Sequence, residues 1–101
     1  MILITGTVEV EEDKRAEFLK AAERQVRSSL REEGCLDYGC FEDAWRRNRF
    51  TFVERWRDSA AVQVHFAKDY SREFMAAMRA LVSKSTGVEI HEVASTRVLP
   101  G

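Results

Sequence analysis

A chain of 101 residues with 45% apolar and 33% charged residues has the balance of one folded soluble domain spanning 1–101, and excludes a disordered chain. Its net charge of −1 supplies no general attraction to nucleic acid or to an anionic membrane. No apolar run approaches the roughly 20 residues that span a bilayer, and Met1-Ile-Leu-Ile-Thr-Gly lacks the basic start and cleavage site of a signal peptide, so a cytoplasmic protein is expected.

Residues 2–10 alternate as a strand, with Ile2, Ile4, Gly6, Val8 and Val10 on one side and Leu3, Thr5, Thr7 and Glu9 on the other. Gly6 marks a bulge or a close approach of backbone or ligand. Asp13 is the expected N-cap of a helix over 14–33. Its inner stripe is Phe18, Ala22, Val26, Ser29 and Leu30, and Gly34 stands where a left-handed terminating residue belongs. Residues 36–43 form a second strand. A polar turn at 44–48 joins it to a third at 49–57, and a link this short implies an antiparallel hairpin. Cys35 and Cys40 on one strand would point to opposite faces, which disfavours a mutual disulfide or shared metal and favours reduced thiols.

On the third strand Phe50, Phe52, Glu54 and Trp56 share a face. Asp58 or Ser59 then caps a short helix over 59–67, where Ala61, Val62, His65 and Phe66 make one stripe. If that stripe folds back, it brings His65 towards Glu54 and Trp56. A further helix over 71–84 carries Phe74, Met75, Met78, Leu81 and Val82 and ends at Gly87. A long strand over 88–99 follows, closed by Pro100.

The order β-α-β-β-α-α-β predicts an α+β, ferredoxin-like sandwich with helices on one face of a mostly antiparallel sheet. The opposite face, with Leu3, Phe41, Val53 and Val93, is apolar enough to call for cover. A second copy of the chain, sheet against sheet, supplies it, so a homodimer in the form of a dimeric α+β barrel is expected.

Glu33-Gly34-Cys35-x-x-Tyr38, then Phe50-x-x-x-Glu54-x-Trp56-x-Asp58, then His65-Phe66 and Phe74, resemble the antibiotic biosynthesis monooxygenase (ABM) family. The nearest branch is the small bacterial quinol monooxygenases. The resemblance covers nearly the whole chain and implies a homodimer with a cavity between sheet and helices. It also implies oxidation of phenolic or hydroquinone substrates by dioxygen with no cofactor, neither metal nor flavin. Haem-degrading branches use an asparagine on the first strand, where this chain offers Thr5 and Thr7. The family's Glu-x-Gly motif reads here as Glu33 adjoining Gly34 directly.

Such chemistry needs a base to make an electron-rich anion and a dry pocket to hold it. His65 is the candidate catalytic base, because an imidazole titrates near working pH. Trp56, Phe52 and Tyr38 are the candidate walls for a small aromatic substrate. Tyr38 also offers a hydrogen bond, and Glu54 a carboxylate to orient the imidazole. Each has a plainer reading: a hydrogen-bonded core histidine, aromatic core packing, and an ion pair at the strand end. Arg46, Arg47 and Arg49 around Trp45 read as a solvated turn. No metal-ligand spacing, phosphate loop or nucleophile motif is present. Isomerisation or breakdown of a reactive metabolite, and small-molecule binding without turnover, are the alternative functions.

Overall fold

The computed structural model describes residues 1–101. Five strands and three helices follow the order β1 (Ile2–Val10), α1 (Arg15–Leu30), β2 (Cys35–Glu42), β3 (Arg49–Trp56), α2 (Ser59–Ala67), α3 (Asp69–Leu81), β4 (Val82–Ser85) and β5 (Glu89–Glu92). All strand pairs are antiparallel, in the order β2-β3-β1-β4, with β5 also on β1. This is the ferredoxin-like α+β arrangement. The register is dictated by alternation. Ile2, Ile4, Phe50, Phe52 and Trp56 are all buried, and the pairs Ile2–Trp56 and Gly6–Phe52 put them on one face.

Of the expected final strand over 88–99 only Glu89–Glu92 forms, as β5, and a second short strand, β4, arises at Val82–Ser85, where helix was expected. β4 pairs with Val8–Val10 and β5 with Ile2–Thr5, so both run along the same edge of β1, with the register slipping by one residue between them. The break falls at Gly87, whose φ of +85° suits glycine. The close approach expected at Gly6 is this turn, since the Gly87 carbonyl oxygen lies 3.0 Å from where a Gly6 Cβ would sit. Pairing with β1 also draws Val82–Ser85 out of the helix expected there, so α3 stops at Leu81. An extended Lys68 (ψ 140°) separates α2 from α3 and starts α3 at Asp69.

Two caps differ from expectation and one agrees. Asp13 lies inside a 3-10 turn over Glu12–Lys14, and α1 begins without a side-chain cap. Gly34 does not adopt positive φ; its role is room, because a Cβ there would meet Ala61. Asp58 does cap α2, accepting from the Ala61 amide at 2.9 Å. On α1 the buried positions are Phe18, Ala22, Gln25 and Ser29, while Leu30 is 49% exposed. A register shift between Cys35 and Asp37 turns Cys35 onto the same face as Cys40. Both thiols therefore pack partly against the core, unbonded to each other.

The 43–49 turn is bound back by charge. Arg46 reaches Glu9 (3.2 Å), Arg47 reaches Glu12 (2.8 Å), and Arg49 lies near Glu9 (3.6 Å) and Asp43 (3.8 Å). Trp45 projects into solvent, 92% exposed. No helix is long and apolar enough to cross a membrane. On the sheet face away from the helices, Leu3, Val53 and Val93 are half-buried and Phe41 is exposed.

Candidate active site

Between the sheet and α3 lies a cavity of about 560 Å³. Its floor is Ile4, Gly6 and Val8 of β1 with Phe52 of β3, and its roof is Phe74, Met75 and Met78 of α3. At the inner end polar groups gather: Gln25 of α1, Tyr38 of β2, Glu54 of β3, His65 of α2 and Ser71 of α3. Five elements thus converge there, because Tyr38 and Glu54 are cross-strand partners and the Asp58 cap turns α2 back over them.

His65 is 2% exposed. Its ring lies 4.4 Å from the Trp56 ring at an interplanar angle of 37°, and 5.9 Å from Tyr38. Its Nδ1 is 2.7 Å from Glu32 Oε2. A carboxylate only accepts, so Nδ1 carries the hydrogen and donates it. In the neutral ring Nε2 then holds the lone pair, and its polar neighbour is Ser71 Oγ at 3.4 Å. The Tyr70 hydroxyl donates to the same Glu32 oxygen in a short hydrogen bond and lies 3.5 Å from Ser29 Oγ.

Of the sequence candidates, His65, Tyr38, Phe52 and Glu54 all line the cavity. Trp56 does not. It is fully enclosed behind His65 and Glu54, and its Nε1 donates to Glu54 Oε1 at 2.9 Å. The indole therefore backs the imidazole and is no wall for a ligand. Glu54 is likewise engaged by Trp56, and the carboxylate that orients His65 is Glu32. Phe66, expected on the inward stripe, sits at the cavity rim, 45% exposed.

Sequence reasoning missed Glu32 and Tyr70. Glu33, taken as the motif glutamate, points outward towards Arg57 (3.8 Å). The structure uses Glu32, so the Glu-x-Gly spacing to Gly34 is intact with Glu33 in the middle. That spacing was a readable signal for Glu32. Nothing marked Tyr70, whose placement depends on the break at Lys68.

Burial raises the Glu54 carboxyl above its ordinary value, opposed by its hydrogen bond from Trp56. Burial and then the Glu54 charge raise the Tyr38 phenol, which stays a proton-loaded donor. Burial, then the bond to Glu32, pushes Tyr70 up to about 12. No group of three or more His, Cys, Asp or Glu side chains is arranged to hold a metal ion.

The profile of the antibiotic biosynthesis monooxygenases matches residues 1–77. The chain belongs to that family. Among ABM relatives, YcnE of Bacillus subtilis, named a "putative monooxygenase", is 35% identical over 83 residues, covering 82% of this chain and 87% of its own. The Synechocystis protein sll1783, named "uncharacterized", is 34% identical over 98 residues, covering 97% of this chain and 67% of its own. A solved "putative antibiotic biosynthesis monooxygenase" from Deinococcus radiodurans superposes with a TM-score of 0.92 over 100% of both chains at 22% identity, a likeness of fold. ABM membership and the name given to YcnE support a monooxygenase-like function in general terms.

Proposed function

We propose that this ABM protein oxidises a quinol or polyphenol-like aromatic with dioxygen, without a cofactor, using His65 as the base. The observation that carries the reading is an enclosed imidazole, held by Glu32 at 2.7 Å, in the wall of a mainly apolar cavity of about 560 Å³. A volume of roughly 300–1,000 Å³ suits a small organic ligand. Phe52 and Phe74, whose rings meet edge to face at 5.6 Å, offer an aromatic surface for the ring. Tyr38 donates to a substrate oxygen, and Glu54 lines the cavity beside it.

In this reading Nε2 takes the proton of a substrate hydroxyl, and Glu32 stabilises the imidazolium that results. The substrate anion passes one electron to dioxygen, and the two radicals combine at a ring carbon. The peroxide anion takes the proton held on Nε2. The hydroperoxide then loses water, formed from its terminal OH and the ring carbon's hydrogen, to leave a carbonyl, so one oxygen atom enters the product and the other leaves as water. The cavity's apolar lining keeps bulk water from the anion.

The test is oxygen uptake with a panel of hydroquinones, each run with and without chelator. Chelator-insensitive uptake that falls by about 10²–10⁴-fold in His65→Ala supports the reading. A folded His65→Ala variant with full turnover overturns it, and tight binding without uptake favours a binding protein instead.

The working unit in this proposal is a homodimer of single-domain chains, 1–101, joined through the sheet face that carries Leu3, Phe41 and Val53. A single monomeric species in sedimentation at micromolar concentration would remove the dimer.

A further inference from the structure

The Glu32 carboxylate stands between two hollows. On one side is the apolar cavity, lined by His65. On the other is a polar cleft of about 500 Å³, open to solvent and lined by Glu32 and Tyr70 together with Ser28, Arg57, Val64 and Lys68. His65 lines only the first hollow and Tyr70 only the second. The side chain of Glu32 is 10% exposed, against 2% for His65. Both hydrogen bonds to Glu32 end on Oε2, from His65 Nδ1 and from Tyr70. Oε1 makes none, yet no sealed side-chain nitrogen or oxygen lacks a partner. Oε1 therefore keeps some solvent-accessible surface, and the hollow that Glu32 lines is the cleft.

We propose that Glu32 is a back-door proton relay, connecting the buried His65 to solvent through the polar cleft and not through the cavity mouth. The idea rests on His65 acting as the base. When Nε2 accepts a substrate proton, Nδ1 releases its own to Glu32 Oε2. Rotation of the carboxyl group then delivers that proton to cleft water and restores the carboxylate. One proton enters at Nε2 and one leaves at Nδ1, so the ring is neutral while the oxygen adduct forms. When Nε2 passes its proton to the peroxide, Nδ1 takes one back from the cleft through Glu32, which restores the starting tautomer. Tyr70 keeps its proton throughout and acts as a positioning residue, pinning Oε2 towards the ring.

The surroundings agree with this direction of travel. Around the imidazole stand Glu54 and Tyr38 from the sheet, Glu32 after α1, and Tyr70 and Ser71 from α3. Of these only Glu32 and Tyr70 also line the cleft. The cleft itself is polar and open, carrying Arg31, Arg57 and Lys68 beside Glu32 and Glu33.

The test follows exchange of the His65 Nδ1 proton with solvent by NMR, in the free protein and with the cavity filled by phenol. The relay predicts that exchange continues within about twofold when phenol fills the cavity. It also predicts a fall of about tenfold or more in Glu32→Gln, whose amide cannot accept and release the proton. Val64→Trp, which fills the cleft from an exposed position and leaves the trio untouched, slows exchange in the same way. Exchange that phenol abolishes, or that proceeds at the wild-type rate in both variants, overturns the relay. No turnover is involved, so failure of the oxygen-uptake assay and failure of this one are separate results. With a turned-over hydroquinone, Glu32→Gln also lowers kcat more than it changes KM and moves the acid limb of the rate profile to lower pH. An unmoved profile counts against the relay.

Discussion

Replacing Gly34 with alanine tests how tightly the site depends on one absent side chain. A Cβ at position 34 would fall closer than 3.0 Å to Ala61 Cβ, and neither group has a torsion that relieves the contact. Ordinary carbon contacts lie at about 3.5–4.0 Å, so β2 and α2 must part by at least about half an ångström. The segment resists, because the Gly34 carbonyl accepts from the Arg57 amide at 2.8 Å and Asp58 caps α2 immediately after. Overpacking of this kind costs about 1–3 kcal/mol, from a total of about 5–15 for a domain of this size. In urea the midpoint of Gly34→Ala should fall with the slope unchanged, and Tm should drop by about 4–8 °C for each kcal/mol lost. Because α2 also carries His65, the 2.7 Å bond to Glu32 loosens with the same movement. Ala61→Gly removes the opposing methyl and alone costs about 0.5–1 kcal/mol. The double variant should recover most of the loss, a coupling of about 1 kcal/mol or more. A Gly34→Ala midpoint equal to wild type, or strictly additive single effects, would refute the packing argument.

Three further outcomes follow from the same structure. Phe18→Ala removes a wholly enclosed ring whose centroid is 4.6 Å from that of Phe50, and should cost about 3–5 kcal/mol in urea unfolding; a loss under about 1 would contradict its place in the core. Hydrogen bonds from Arg47 hold Glu12 down at about 2, and hydrogen bonds from Arg15 hold Glu42 at about 2. Both carboxylates start from 4.5, so their stabilisation is full above that pH and drains away as the pH falls towards 2. Arg15→Gln should flatten the Glu42 share of that part of the stability curve, and an unchanged curve would show the Arg15–Glu42 pair to be idle. Glu54 has the opposite sign: burial raises its folded value above 4.5, so its contribution is lost as pH rises through that window and beyond. Glu54→Gln, whose carbonyl still accepts from Trp56, should gain stability relative to wild type as pH rises, and a constant offset at all pH values would exclude the burial explanation.

How much of this was readable in advance differs element by element. Strand β1 was legible to the residue, and β2, β3 and α2 to within one, because alternation and the Asp58 cap are local signals. The buried row Phe50, Phe52, Glu54 and Trp56 followed from period 2 alone. The end of α3 was not legible. Val82 continues the helical apolar stripe and Lys84 suits a last turn, yet β1 offers Val82–Ser85 an open edge, and sheet hydrogen bonds outweigh so weak a signal. At the site, the meeting of His65 and Trp56 was foreseen while their division of labour was not. Whether an indole faces a cavity or stands behind an imidazole depends on how deep the α2 helix sits.

The sequence by itself determined the α+β order, the inward face of the sheet, the corner that brings His65 to Trp56, and membership of the family. These rest on interactions between residues close in the chain, or on a repeating pattern that any partner surface would satisfy. Only the tertiary structure decided that Glu32 holds the imidazole, that Tyr70 holds Glu32, and that two hollows meet at that carboxylate. Glu32 and His65 are 33 positions apart, with Tyr70 a further five beyond the histidine. Contacts across such separations depend on the way three helices settle on one sheet, and no local pattern encodes that.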